Sequence, residues 1–311
     1  MEQVTTLRLG TRGTILALAQ ATHVADALHT AHPRLRVQLV TIPTHGDRWA
    51  DNLGAGTGIK GAYIREIDQQ LADGAIDLAV HCLKDRPSHA AEHHGVVLAA
   101  HLRRDEPRDA LVTATGSTLA LLPPASVVGT SAPRRQAQLR RHRPALRIKP
   151  VRGSIEARLQ RVDSGELDAV IVSAAALHRT GQADRITELL PLDSHLPAAG
   201  AAVLAVTARP GDERTRDLVA VLDHPDTATA ATAERAYLRR LGATCRSSIA
   251  AHATVAEDMV TLRASVYSPS GDRVLHTVVG GAVSQARKVG RDAAEQLLAL
   301  GARKLLNTDT A

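Results

Sequence analysis

Through roughly the first two hundred residues, short β-branched runs alternate with longer stretches whose apolar residues recur at helical spacing. This alternation constrains the fold more than any other feature of the chain. A pattern of period two cannot sit still as a helix, nor one of period 3.6 as a strand, so the order points to an α/β class. Strands are expected over Thr6–Leu9, Arg36–Ile42, Ile76–His81, Val96–Ala100, Ala110–Thr113, Ser126–Gly129, Arg147–Val151, Ala169–Ser173 and Ala202–Thr207. Helices are expected over Ile15–His32, Tyr63–Asp73, Arg134–Arg141, Ile155–Ser164 and Asp212–Leu222. The tail changes character. A helix over Thr227–Leu241 precedes three strand-like runs, Ile249–Val255, Met259–Tyr267 and Arg273–Val279, and then one helix, Ser284–Lys304. The Ser268-Pro269-Ser270-Gly271-Asp272 turn makes the last two runs a hairpin, and the C-terminal part reads as a small α+β domain.

One junction recurs: a strand ends in Gly-Thr and a helix follows, at Gly10-Thr11-Arg12 and again at Gly129-Thr130-Ser131. Val151-Arg152-Gly153-Ser154 has the same strand–turn–helix logic. Helix N-termini present unpaired N–H groups, and arginines gather here: Arg12, then Arg134 and Arg135, then Arg152 and Arg158. Any one junction is better explained by an ordinary cap with solvated arginines. Three of one kind point to a multi-point site for carboxylates or phosphates, which the planar guanidinium fork suits.

Composition removes other classes. Of 38 basic residues only Lys60, Lys84, Lys149, Lys288 and Lys304 are lysines, and the formal net charge is +6. A GC-rich genome, which favours Arg and Ala codons together, would by itself account for much of that arginine excess. Aromatics are confined to Trp49, Tyr63, Tyr237 and Tyr267, which leaves no stacking platform for single-stranded nucleic acid. No apolar run reaches membrane-spanning length, and the N-terminus lacks the apolar stretch of a secretory signal, so a cytoplasmic location is expected. Cys82 and Cys245 do not make a disulfide scaffold there.

The buried-looking run from Ile76 breaks abruptly into His81-Cys82-Leu83-Lys84-Asp85-Arg86-Pro87. Ligand groups in open α/β sheets sit at the carboxyl ends of strands, where Lys84 and Asp85 fall. Taken alone, the pair reads equally as a surface ion pair. Cys82 reads as a small buried hydrophobe and His81, His89, His93, His94 and His101 as loop and strand-end histidines. Cys245 follows a helix on a loop beside Arg246, a setting that favours a nucleophilic thiolate; without ligand spacing, no metal is expected.

These pieces occur in a specific order. Gly10-Thr11-Arg12 with Leu16–Gln20, Thr44-His45-Gly46-Asp47, Lys60-Gly61 and His81–Asp85 come first. Arg104–Ala110, Gly129-Thr130-Ser131 with Arg134-Arg135-Gln136, Arg152-Gly153 and Cys245 follow. Together they resemble the porphobilinogen deaminase (hydroxymethylbilane synthase) family over nearly the whole chain. The resemblance implies two periplasmic-binding-protein-like α/β domains with a central cleft plus a small C-terminal α+β domain. The boundaries would be 1–102 with 196–222, then 103–195, then 223–311. It implies a dipyrromethane cofactor held through a thioether on Cys245, with Lys84, Asp85, Thr130, Ser131, Arg134 and Arg135 around it. It places Arg12, Thr14, Lys60, Arg152 and Arg158 on the substrate.

The implied reaction condenses four porphobilinogen molecules head to tail, releasing ammonia each time, and ends by hydrolysis to linear hydroxymethylbilane. An azafulvene cation develops as ammonia leaves, and Asp85 is the implied catalytic carboxylate. The implied enzyme is a cytoplasmic monomer that needs neither nucleic acid nor membrane. The sequence departs from the family pattern at several supporting positions. Gly56 replaces a lysine, Tyr63 a phenylalanine, Cys82 a serine and Ser154 an asparagine. Ala132 and Pro133 replace Ser-Leu, Ala243-Thr244 precede Cys245 in place of two glycines, and Ala201 stands where a glutamine is usual. A diverged paralogue making another pyrrole oligomer, or a non-catalytic anionic-ligand-binding protein, is the alternative these departures raise.

Overall fold

The computed structural model describes residues 6–50, 61–88, 95–242 and 247–307. The chain forms two compact units, Met1–Asp105 with Ala202–Ala228, and Glu106–Ala201 with Thr229–Ala311.

In the first unit, β1 (Thr6–Thr11), β2 (Arg36–Thr41), β3 (Leu78–Cys82) and β4 (Val97–His101) are joined by α1 (Ile15–Ala31), α2 (His45–Ala50) and α3 (Arg65–Ala72). β1 pairs in parallel with β2 on one side and β3 on the other, so the carboxyl ends of all three share one edge. Leu7, Leu9, Leu78 and Val80 from the strands bury against Val24 and Leu28 of α1. The glycine of the first Gly-Thr junction serves close packing: a Cβ on Gly10 would lie 2.3 Å from Ile76 Cδ1.

The second unit repeats the plan. β5 (Asp109–Thr113), β6 (Val127–Gly129), β7 (Arg147–Lys149), β8 (Ala169–Ser173) and β9 (Glu188–Leu189) form a sheet in the order β7-β6-β8-β5-β9. Its helices are α4 (Pro133–His142), α5 (Ile155–Asp163) and α6 (Ala174–Arg179). β6 lies parallel to β7 and β8, and β5 antiparallel to β8 and β9. Gly129 is the counterpart of Gly10, with Leu167 2.7 Å and Val151 2.9 Å from where its Cβ would stand.

The chain then re-enters the first sheet as β10 (Leu204–Ala208), antiparallel between β3 and β4, giving the order β2-β1-β3-β10-β4, and continues as α7 (Glu213–Ala220). The two sheets therefore share one spatial arrangement of strands, but the inner antiparallel strand comes last in the chain in the first sheet (β10) and first in the second (β5).

After α8 (Pro225–Leu241), β11 (Ile249–Ala256), β12 (Met259–Tyr267) and β13 (Val274–Ala282) form an antiparallel meander followed by α9 (Ala286–Ala299) and α10 (Ala302–Asn307). This C-terminal α+β layer has its own core around Tyr237, Leu262, Val266, Val289 and Leu297. It meets α4 through Ala137, Leu196, Ala250 and Tyr267. The fully buried Glu234 carboxylate accepts from the N–H of Gly200 at 2.6 Å and of Ala253 at 2.8 Å, tying the 197–202 stretch to β11. The fold is thus the expected class: two α/β sheets and a small α+β layer. The single helix expected over Ser284–Lys304 is interrupted at Gly301, whose φ of +95° suits only glycine.

Candidate functional site

Two strand edges carry most of the residues singled out above. In the first unit, Arg12 and Thr14 follow β1, Asp47 follows β2 and Lys84 and Asp85 follow β3, all at the shared carboxyl edge. Thr14 is the N-cap of α1, its Oγ1 accepting from Ala17 N–H at 3.3 Å; that contact leaves the hydroxyl hydrogen for another acceptor. Arg12 is held on two sides. Its Nε donates to Asp47 Oδ1 at 3.0 Å, and its guanidinium carbon stands 4.3 Å from the centroid of the Tyr63 ring. Thr44 Oγ1 donates to the same carboxylate at 2.7 Å. Burial would raise the Asp47 carboxyl, but Arg12 and Thr44 hold it below the usual carboxylate range. In the sequence Asp47 stands out only as part of the Thr44-His45-Gly46-Asp47 motif.

Lys84 and Asp85 occupy a short 3-10 turn, Leu83–Asp85, directly after β3. Leu83 is buried and anchors the turn, while Lys84 and Asp85 are exposed. Among the described residues neither forms an ion pair, so the reading of the two as a mutual surface pair finds no support. Cys82 is half-buried and accepts from Gln20 Nε2 at 3.1 Å.

In the second unit, Thr130 and Ser131 follow β6, and Arg152 and Arg158 flank the start of α5. Thr130 is buried and Ser131 Oγ donates to Val151 O at 2.8 Å. The N-cap of α4 is Ala132, which provides no side-chain cap. By contrast Ser154 caps α5 through Ala157 N–H. Arg152 is exposed; Arg158 folds back, its Nε donating to Gly153 O at 3.0 Å.

Arg134 and Arg135 differ from the expectation of solvated cations at the mouth of α4. Both are buried and converge on Asp109, Arg134 Nη1 at 2.8 Å and Arg135 Nη2 at 2.7 Å from its two oxygens. Arg134 Nη1 also donates to Gln138 Oε1 and Leu196 O, and Arg135 Nη1 to Ile171 O. Burial opposes the Asp109 charge, but the two guanidiniums hold its carboxyl far below the ordinary range, so the cluster keeps one net positive charge. Lys60 and Cys245 lie outside the described residues.

Sequence comparison places these features in a known context. Residues 7–217 match the family model described as porphobilinogen deaminase, dipyromethane cofactor binding domain, and residues 228–299 match porphobilinogen deaminase, C-terminal domain. The porphobilinogen deaminase of Syntrophotalea carbinolica is 46% identical over 300 residues, covering 96% of this chain and 95% of that relative. That of Chromobacterium violaceum is 42% identical over 299 residues and covers 96% of each. Among solved structures, a periplasmic substrate-binding protein of an ABC transporter from Coxiella burnetii superposes with a TM-score of 0.44 at 15% identity, covering 74% of this chain and 96% of that one.

Proposed function

The chain belongs to the porphobilinogen deaminase family, and from that premise we propose how its own residues divide the work of the reaction. The activity is that of a hydroxymethylbilane synthase, a transferase of tetrapyrrole biosynthesis that uses a dipyrromethane cofactor. When bound, that cofactor supplies the primer pyrrole onto which porphobilinogen units are added.

The donor set suits a group rich in carboxylates. Around the second sheet's edge stand the exposed Arg152, the uncapped N-terminus of α4, and beneath it a two-arginine, one-aspartate cluster with a net positive charge. Thr130, Ser131, Arg134, Arg135 and Lys84 would hold the cofactor, with Cys245 as its covalent anchor. The anchoring role rests on the position of Cys245 in the sequence. Because Arg134 and Arg135 are already committed to Asp109, their role is mainly a fixed field, supplemented by whichever N–H groups remain. Ser131 must turn its hydroxyl from Val151 O to donate to an anion.

Arg12 and Thr14 on the first sheet, with Lys60, Arg152 and Arg158, would receive the acetate and propionate groups of porphobilinogen. Arg12 arrives pre-oriented by Asp47 and Tyr63, which lowers the ordering cost of binding. Asp85 faces the positive charge that develops on the substrate pyrrole as ammonia leaves; its carboxylate stabilises that charge and accepts the proton that the attacking pyrrole loses from its α-carbon as it regains aromaticity. The observation that carries this reading is the exposure of the Lys84–Asp85 turn at the edge that also presents Arg12. Residues 223–311 are proposed as the functional domain carrying the anchor. The chain is proposed to act as a monomer in the cytoplasm, a location supported by a two-cysteine composition suited to a reducing compartment. Among the described residues no helix is long and apolar enough to cross a membrane.

Intact mass and turnover test these assignments together. The purified chain should carry the mass of a dipyrromethane, lost in Cys245→Ser. Asp85→Asn should keep the adduct and lose turnover by about two orders of magnitude or more. A chain without adduct after exposure to porphobilinogen, or near-normal turnover in Asp85→Asn, would remove the corresponding role.

A further inference from the structure

Directly behind the turn that presents Lys84 and Asp85 lies a buried ionic cluster without a part in the chemistry described so far. Asp68 of α3 is completely buried, at a position of the apolar stripe formed by Ile64, Ile67 and Leu71. His81 in β3 and Arg86, the residue after Asp85, are only 6% and 4% exposed. Arg86 Nη1 donates to Asp68 Oδ1 at 2.9 Å, and His81 Nε2 stands 3.3 Å from the same oxygen. Burial acts to raise the Asp68 carboxyl, yet His81 and Arg86 hold it below its ordinary value. Burial pushes the His81 ring below its usual value, with Asp68 opposing, and Arg86 is the cation paired with Asp68.

A buried ion pair is a weak device for stability, because apolar side chains of similar volume often do as well. Its placement is more informative. The two partners of Asp68 bracket Asp85, one four residues before it and one immediately after. Between them the turn is closed by Arg86 N–H to Leu83 O at 3.0 Å and fixed to the neighbouring chain by Leu83 N–H to Val203 O at 2.9 Å. One carboxylate therefore holds the Arg86 flank of the turn by a hydrogen bond and packs against His81 on the other, leaving Lys84 and Asp85 as its exposed members.

We propose that Asp68 is a positioning residue for the reaction: through Arg86, with His81 packed against it, it fixes the Leu83–Asp85 backbone and so the placement of the Asp85 carboxylate. This rests on the reading of Asp85 as the catalytic carboxylate. Asp68 itself touches no substrate, so its loss acts on the chemical step. A displacement of a reacting group by about 1 Å costs up to roughly 10²-fold in rate.

The test compares kcat and KM for porphobilinogen in Asp68→Asn, Asp68→Glu, Asp68→Asn/Arg86→Met and Asp85→Asn. Each is assayed per cofactor-loaded enzyme by intact mass, with its thermal midpoint recorded. Asp68→Asn should lower kcat about 10- to 100-fold with KM within about threefold, and Asp68→Glu should restore part of the loss. The double variant removes the unpaired buried cation, so it should regain thermal stability without regaining kcat; it decides the matter if Asp68→Asn does not fold. A folded Asp68→Asn with kcat within about twofold of the parent overturns the positioning role. So does a double variant whose kcat recovers with its stability. If Asp85→Asn is inactive in either case, only the positioning role has failed; if Asp85→Asn is active, the underlying reading fails with it.

Discussion

Asp109 is the point at which the charges of the second unit can be tested most directly. It is 3% exposed and is the shared ion-pair partner of Arg134 and Arg135. Asp109→Asn keeps the shape and removes the charge, leaving two buried guanidiniums against a neutral amide. Breaking a buried pair from one side costs about 3–5 kcal/mol. Here Leu196 O and Ile171 O still accept from the two arginines, and the new amide oxygen can accept one bond, so the lower end, about 3 kcal/mol, is expected. For a unit of this size that is a fall of roughly 6–12 °C in thermal midpoint. Urea unfolding followed by far-ultraviolet circular dichroism measures it, fitted with two transitions because the chain has two units.

The pH dependence gives an independent reading. The Asp109 carboxyl is depressed in the folded state, so its stabilisation is complete above the ordinary carboxylate value of 3.8 and is lost as pH falls below it. Asp109→Asn should lack that part of the acid limb. An Asp109→Asn protein within about 0.5 kcal/mol of the parent at pH 7, with an unchanged acid limb, would refute the claim that these arginines depend on Asp109.

Two further outcomes follow from neighbouring features. Ala132→Ser supplies α4 with the side-chain cap it lacks and should raise stability by about 1 kcal/mol in urea unfolding; no gain would mean that the extended backbone at residue 132 does not direct the hydroxyl to the helix. His195 is pushed down to about 4, first by burial and then by His142, with Asp109 opposing. The folded protein therefore resists protonating it, and stability should fall by up to about 3 kcal/mol as pH drops from 6.5 toward 4. His195→Gln should flatten that slope; an identical slope in the variant would assign the loss elsewhere.

Much of this was legible because strand ends are chemically abrupt. The stretch Leu78–Val80 is apolar, Lys84, Asp85, Arg86 and Pro87 follow within a few residues, and the chain leaves the sheet there. Two helices have no counterpart in the sequence pattern: α2, a six-residue helix containing Gly46, and α6, which starts directly after β8 without a side-chain cap. Short helices carry too little periodicity to announce themselves. The expected strand over Ala202–Thr207 starts later, at Leu204, because Ala202 adopts a φ of +63° and cannot extend the ladder. The inward turn of Arg134 and Arg135 was not legible: their anionic partner is more than twenty residues earlier, at the head of an apolar strand. Asp68 did leave a signal. A carboxylate among Ile64, Ile67 and Leu71 sits where a helix faces its core, and such a residue calls for a buried cation.

The re-entry of β10 has a consequence for how the chain is made. Until Leu204–Ala208 has been synthesised, β3 presents an unpaired edge and β4 lacks its partner, because β10 stands between them. On a ribosome the first unit must wait for the whole second sheet to be made, its apolar strands held open meanwhile. Contacts between residues 78–82 and 204–208 close a loop of more than one hundred residues, so this pairing is a slow step of folding. A nascent chain arrested after the second sheet would expose the edges most prone to pair with another copy, and release of that last strand would end the exposure.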